Sequence, residues 1–126
     1  MEKKKRTKLK DRTLPDYTRG EEIFNMVSHI VGGALAIAAL VLCVIFSALK
    51  GDPWAVVASA VYGGTMVALY AMSSIYHGLT AERAKKVFQV IDHCTIYFLI
   101  AGTYTAITLA GIRVNHPVIA FAIFGM

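Results

Sequence analysis

The stretch that decides the fold is IFNMVSHIVGGALAIAALVLCVIFSAL, residues 23–49, which contains no Asp, Glu, Lys or Arg. It is longer than the roughly 20 residues that an α-helix needs to cross the hydrocarbon layer of a bilayer. Two runs of similar length follow at residues 53–79 and 87–112, and an incomplete fourth occupies residues 117–126. Such runs are too long and too apolar for a water-soluble core. The sequence therefore predicts an all-α, multi-pass transmembrane helical bundle.

The charged residues predict the topology of this bundle. Eight of the 13 basic residues lie before residue 20, and the segment 80–86 between the second and third runs is also basic. Segment 50–52, between the first two runs, has no net charge. Basic segments stay on the cytoplasmic side. We therefore expect residues 1–20 to form a basic cytoplasmic tail and residues 21–126 a transmembrane domain of the cell (plasma) membrane.

The tail permits two interpretations. Its composition is typical of a disordered segment, and its charge could bind anionic lipid or nucleic acid. A cytoplasmic flank that only sets the topology is the favoured interpretation, so we expect membrane lipid and no nucleic acid as a partner.

Small and polar residues recur on one face of each predicted helix, where they allow close helix packing. Against this background, an ionisable side chain inside a span is costly and is a functional candidate by default. The candidates are His29, His77, Asp92 and His93.

Two of these candidates, His77 and Asp92, lie at similar predicted depth near the cytoplasmic ends of the second and third runs. Ser73 precedes His77 by one helical turn on the same face. From spacing alone, a hydrogen-bonded polar pair that fixes helix packing is the favoured interpretation. The alternative is half of a metal site, which His29 could join, because a catalytic zinc ion takes three protein ligands.

Four segments resemble the haemolysin III family, which belongs with the progestin and adipoQ receptors in one superfamily that in turn resembles alkaline ceramidases. They are EEIFNMVSHIVG (21–32), SSIYH (73–77), IDHCTIY (91–97) and IAGTYT (100–105). The resemblance implies a seven-helix membrane protein with a cytoplasmic N-terminus, of which this chain is the N-terminal part, truncated after the start of the fourth helix.

The resemblance also implies a zinc site near the cytoplasmic face. Its parts are the serine-x-x-x-histidine motif, matched by Ser73 and His77, the aspartate matched by Asp92, and a histidine pair in a later helix. His77 and Asp92 are then the expected metal-site residues, with Asp92 and Ser73 as the expected catalytic residues.

Three functions follow as hypotheses. The first is a zinc-dependent hydrolase of lipid amides or esters, in which the metal activates water and polarises a carbonyl. The second is a pore-forming, cytolytic membrane protein, as the family name implies. The third is a receptor-like sensor of lipid metabolism. The sequence predicts no oligomeric state.

Overall fold

The computed structural model describes residues 6–126, and every regular element within that range is helical. Helix α1 covers Arg19–Leu49, α2 covers Pro53–Gly78 and α3 covers Glu82–Ala106. Three helical segments, the third running from Glu82 to Asn115, are long and apolar enough to cross a membrane. The prediction of an all-α, multi-pass bundle is confirmed.

The chain after α3 stays helical with a change of winding. A π-helical segment, Ile107–Ile112, leads into the short helix α4, Arg113–Asn115. Helix α5, Pro117–Phe124, follows a break at His116. Proline suits the first position of a helix because it has no amide hydrogen to leave unpaired there.

Two helix starts differ from the limits of the apolar runs. Helix α1 begins at Arg19, because Thr18 and Glu21 form a capping box in which each side chain accepts a hydrogen bond from the other's backbone amide. Helix α3 begins at Glu82, so its first turn is polar and the apolar run from residue 87 starts one turn later. Hydropathy detects the part of a helix inside lipid, whereas capping and charge determine where the helix begins.

Helix α2 lies between α1 and α3 and packs against both. The packing is close because glycines on each helix face bulky side chains of a neighbour, with no room for a Cβ atom. The contacts between α1 and α2 are Gly32 with Tyr70 and Gly63 with Leu40, and the contact between α2 and α3 is Thr65 with Gly102.

The outer face of α1 is apolar and uncovered. Phe24, Leu35 and Phe46 are 73%, 67% and 60% exposed. A continuous apolar surface of this kind is rare on soluble monomers. On a helix of spanning length, such a surface is suited to contact lipid or other membrane helices.

The start of α1, the end of α2 and the start of α3 meet at what we call the N-terminal end of the bundle. Part of the basic tail packs there: residues Leu9–Asp11 form a short 3-10 turn, and Arg12 Nη1 donates to Gln89 Oε1 of α3 at 3.3 Å. Arg12 thus connects the described part of the tail to α3. Residues 1–5 lie outside the described range, and the expected disorder of the tail stays a prediction.

Candidate functional site

His77, in the last turn of α2, forms a hydrogen bond with Glu22 in the first turn of α1. The Nδ1 atom of His77 lies 2.7 Å from Oε2 of Glu22. The two side chains are 9% and 16% exposed, so the contact is shielded from solvent within the chain. The two residues are 55 positions apart in the sequence, and the antiparallel packing of α1 and α2 brings them together.

The other oxygen of Glu22 forms an ion pair with Lys85 from the first turn of α3. The ammonium of Lys85 also lies 3.4 Å from the carbonyl oxygen of Leu79 and 5.2 Å from the centre of the Tyr76 ring. A lysine that is 11% exposed is stable only when its charge is matched. One carboxylate therefore joins the ends of all three long helices and neutralises Lys85.

Aromatic rings surround His77. The Tyr76 ring centre is 4.7 Å from that of His77, the His29 ring 5.8 Å and the Tyr17 ring 6.0 Å. His29 also packs edge-on against Tyr70 at 5.8 Å. The Nδ1 atom of His29 is buried and has no hydrogen-bond partner among residues 6–126. We call Glu22, His29, His77 and Lys85 the polar cluster.

The residues predicted for the site do not all contact one another. Ser73 is buried on α2, one turn before His77, as the spacing predicts. Asp92 is half-buried on α3. In the described part of the chain, His77 pairs with the carboxylate of Glu22 and forms no hydrogen bond with that of Asp92. The catalytic and metal-site roles expected for Ser73, His77 and Asp92 stay predictions.

His93, the remaining histidine candidate, lies outside the polar cluster. It is exposed, and its Nδ1 atom lies 2.6 Å from the backbone oxygen of Gln89 on its own helix. A contact within one helix cannot join helices. His93 therefore offers a control for substitutions of His77.

The polar cluster does not form a complete metal site by itself. Within residues 6–126, no three His, Cys, Asp or Glu side chains lie close enough together to hold a metal ion. A catalytic zinc ion requires three protein ligands. The donor set present here is therefore too small.

Sequence reasoning missed Glu22 and Lys85. Lys85 belongs to the basic segment 80–86, whose charge predicts only the topology, and Glu22 occurs only within the segment 21–32 that carries the family resemblance. One signal was available: Glu22 precedes His29 by seven residues, so both lie on the same face of α1. Nothing comparable indicated Lys85, whose neighbours Arg83 and Lys86 are also basic.

Residues 17–126 match a protein-family model described as haemolysin-III related. The chain belongs to the haemolysin III family. This match includes all three long helices and the whole polar cluster. The resemblance inferred from the four sequence segments is confirmed.

Curated relatives agree with the family match. The chain is 40% identical over 97 residues to the hemolysin-3 homolog of Bacillus subtilis (strain 168), covering 77% of this chain and 46% of the relative. It is 42% identical over 93 residues to hemolysin-3 of Bacillus cereus, covering 74% and 42%. The matches thus span less than half the length of these relatives. No solved structure matches the chain significantly.

Proposed function

We propose that the polar cluster is part of a hydrolytic site for a lipid amide or ester, with zinc as the cofactor. The observation that carries this proposal is the buried contact between His77 and Glu22 at the end of the bundle. A histidine oriented by a carboxylate through one ring nitrogen can bind a metal ion or a proton through the other. Membrane lipid is the substrate class because the cluster terminates helices of spanning length.

Glu22 determines which nitrogen of His77 is free. A carboxylate accepts hydrogen bonds, so the hydrogen of a neutral His77 ring resides on Nδ1 and the lone pair on Nε2. Lys85 supports this arrangement because its ammonium neutralises the second oxygen of Glu22. Glu22 and Lys85 are thus positioning residues for His77.

The remaining roles follow the family resemblance. His77 would supply one zinc ligand through Nε2, and Asp92 would bind the metal or its water. Ser73 would hydrogen-bond the reacting oxygen. The remaining zinc ligands would come from the part of the protein that corresponds to the uncovered part of the relatives. When bound, zinc would supply Lewis acidity toward a carbonyl.

The experiment uses the full gene product, purified in detergent without chelator. Zinc content is measured by atomic emission, and hydrolysis is measured with a ceramide and with a phospholipid ester. We expect stoichiometric zinc and turnover in the wild type. His77→Ala should lose both, whereas His93→Ala should keep both. A wild type without zinc, or a His77→Ala variant that retains zinc and activity, would overturn the proposal.

We also propose the plasma membrane as the location, with the N-terminal end of the bundle facing the cytoplasm. The basic tail and the basic start of α3 lie at that end, which supports this orientation. Single cysteines at Lys10 and at Lys50, in a background without Cys43 and Cys94, test it. A membrane-impermeant maleimide should label the Lys50→Cys variant in intact cells, and the Lys10→Cys variant only after lysis. The reverse pattern would contradict the orientation.

The names of the relatives favour a second candidate, a membrane-lysing protein. Lysis through a pore requires a defined conductance. Single-channel recording on the purified protein in planar bilayers tests this candidate. Discrete current steps would support a pore, and a silent bilayer would exclude one.

A further inference from the structure

The attached part of the tail and the start of α3 form a cleft at the N-terminal end of the bundle. The cleft has a volume of about 640 Å³ and is open to solvent. We call it the basic cleft. Its lining residues are Lys8, Leu9, Lys10, Glu82, Arg83 and Lys86.

The charge of the basic cleft is strongly positive. Four cationic side chains line it against one carboxylate, that of Glu82, which already pairs with Lys86 at 2.8 Å. Lys8, Lys10 and Arg83 are exposed and have no ion-pair partner within residues 6–126. Two further acids, Asp11 and Asp16, line an adjoining cleft that shares Lys10, Glu82 and Lys86 with the basic cleft. That cleft also contains Arg12, so the two clefts together keep an excess of positive charge.

The tail contributes to the cleft because it is held in place. Arg12 is half-buried, and its guanidinium donates to Gln89, which is 8% exposed on α3. This contact lies two residues after Lys10. Lys8 and Lys10 therefore line one cleft together with Arg83. Their charges occupy defined positions beside α3, unlike those of a polybasic segment without contacts.

The cleft lies at the depth of lipid headgroups. Lys86 directly precedes Val87, which is 38% exposed and opens the apolar run of α3. One residue of helix rises about 1.5 Å. Lys86 thus lies within one helical turn of the apolar run of α3, which is the level at which we expect anionic headgroups.

We propose that the basic cleft binds the headgroup of an anionic phospholipid. Its exposed cations supply the charge, Leu9 supplies an apolar contact, and the position of Lys86 fixes the depth. Clusters of basic residues beside a span attract anionic lipid by roughly 1 kcal/mol for each cation. This binding does not depend on the proposed hydrolytic role of His77.

Native mass spectrometry of the full gene product in non-ionic detergent tests the proposal. The probes are dioleoyl phosphatidylglycerol and dioleoyl phosphatidylcholine, added in equal amounts. We expect phosphatidylglycerol to bind at least about tenfold more tightly, with the preference decreasing as salt rises. Equal binding of the two lipids would overturn the proposal.

Two triple variants that remove the same charge distinguish lipid binding in the cleft from attraction by the protein's net charge. The cleft variant carries Lys8→Gln, Lys10→Gln and Arg83→Gln, and the tail variant replaces the three lysines at 3–5 by Gln. The cleft variant should lose at least about tenfold in phosphatidylglycerol affinity, and the tail variant much less. Equal losses would show attraction by net charge alone and would refute a formed site. Circular dichroism confirms that each variant is folded.

Two competitors distinguish other anions from lipid. Inorganic phosphate at millimolar concentration should not displace phosphatidylglycerol, because it lacks the acyl chains that the neighbouring apolar surface contacts. A duplex oligonucleotide should bind the cleft variant and the charge-matched tail variant equally, because its non-specific binding follows net charge. Displacement by phosphate, or loss of oligonucleotide binding only in the cleft variant, would assign the cleft to a different ligand and overturn the proposal.

Discussion

Replacing Glu22 by glutamine should destabilise the protein through Lys85. The amide keeps an oxygen that can accept from Nδ1 of His77, but it removes the negative charge that matches Lys85. Lys85 would then be 11% exposed without a counterion. Removing one partner of a buried pair costs several kcal/mol, and a position near the membrane boundary lowers this cost. We therefore expect a loss of about 1–3 kcal/mol in the free energy of unfolding.

The assay is unfolding of the purified protein by SDS in mixed micelles, followed by far-ultraviolet circular dichroism. Asp16→Asn is the control, because it also removes one carboxylate, but Asp16 is exposed and forms no salt bridge within residues 6–126. The control should not change the unfolding midpoint measurably. The double variant Glu22→Gln/Lys85→Met should recover most of the loss, since no unmatched charge remains. Equal effects of Glu22→Gln and Asp16→Asn, or no recovery in the double variant, would show that the unmatched charge of Lys85 is not the cause of the loss.

Two further predictions concern packing and the opposite end of the bundle. Gly63→Ala should lower the free energy of unfolding by about 1–3 kcal/mol, because an added Cβ would lie 2.8 Å from Cβ of Leu40, an atom that cannot move without the backbone. Gly64→Ala, which meets open space, should leave it unchanged or raise it slightly, and SDS unfolding of both variants checks the contrast. Asp52→Ala should cost about 1–2 kcal/mol, since Asp52 caps α2 and accepts two hydrogen bonds from Arg113. A double-mutant cycle with Arg113→Ala should give a favourable coupling energy, and strict additivity would count against the contact.

The spans were predictable because hydropathy is a local property. The run at residues 23–49 predicts a membrane helix without any knowledge of its neighbours. The predicted helix starts were less accurate than the spans, because the first turn of α3 is polar and hydropathy does not detect it. The start at Glu82 places Asp92 ten residues along α3, about one and a half turns further from the helix start than the apolar run alone suggests.

The contacts of the candidate site were harder to predict than its residues. Ser73 and His77 share a face of α2 by spacing alone, and Ser73 is indeed buried. The partner of His77 depends on how α1 and α3 are rotated about their own axes, which sequence spacing does not determine. Sequence spacing therefore does not indicate that Glu22 is the hydrogen-bond partner of His77, or that Lys85 joins Glu22 from the basic segment 80–86. The role expected for Asp92 stays a prediction.

The proposed site depends on Glu22 holding His77 with hydrogen on Nδ1, so that Nε2 is free to bind. Nitrogen-15 NMR of histidine-labelled protein measures this directly, with the His77 signals assigned by their loss in His77→Gln. For the neutral ring, we expect a protonated Nδ1 and an unprotonated Nε2 in the wild type, and a mixture of the two neutral forms in Glu22→Ala. A wild-type His77 with hydrogen on Nε2 alone, or a tautomer unaffected by Glu22→Ala, would contradict it.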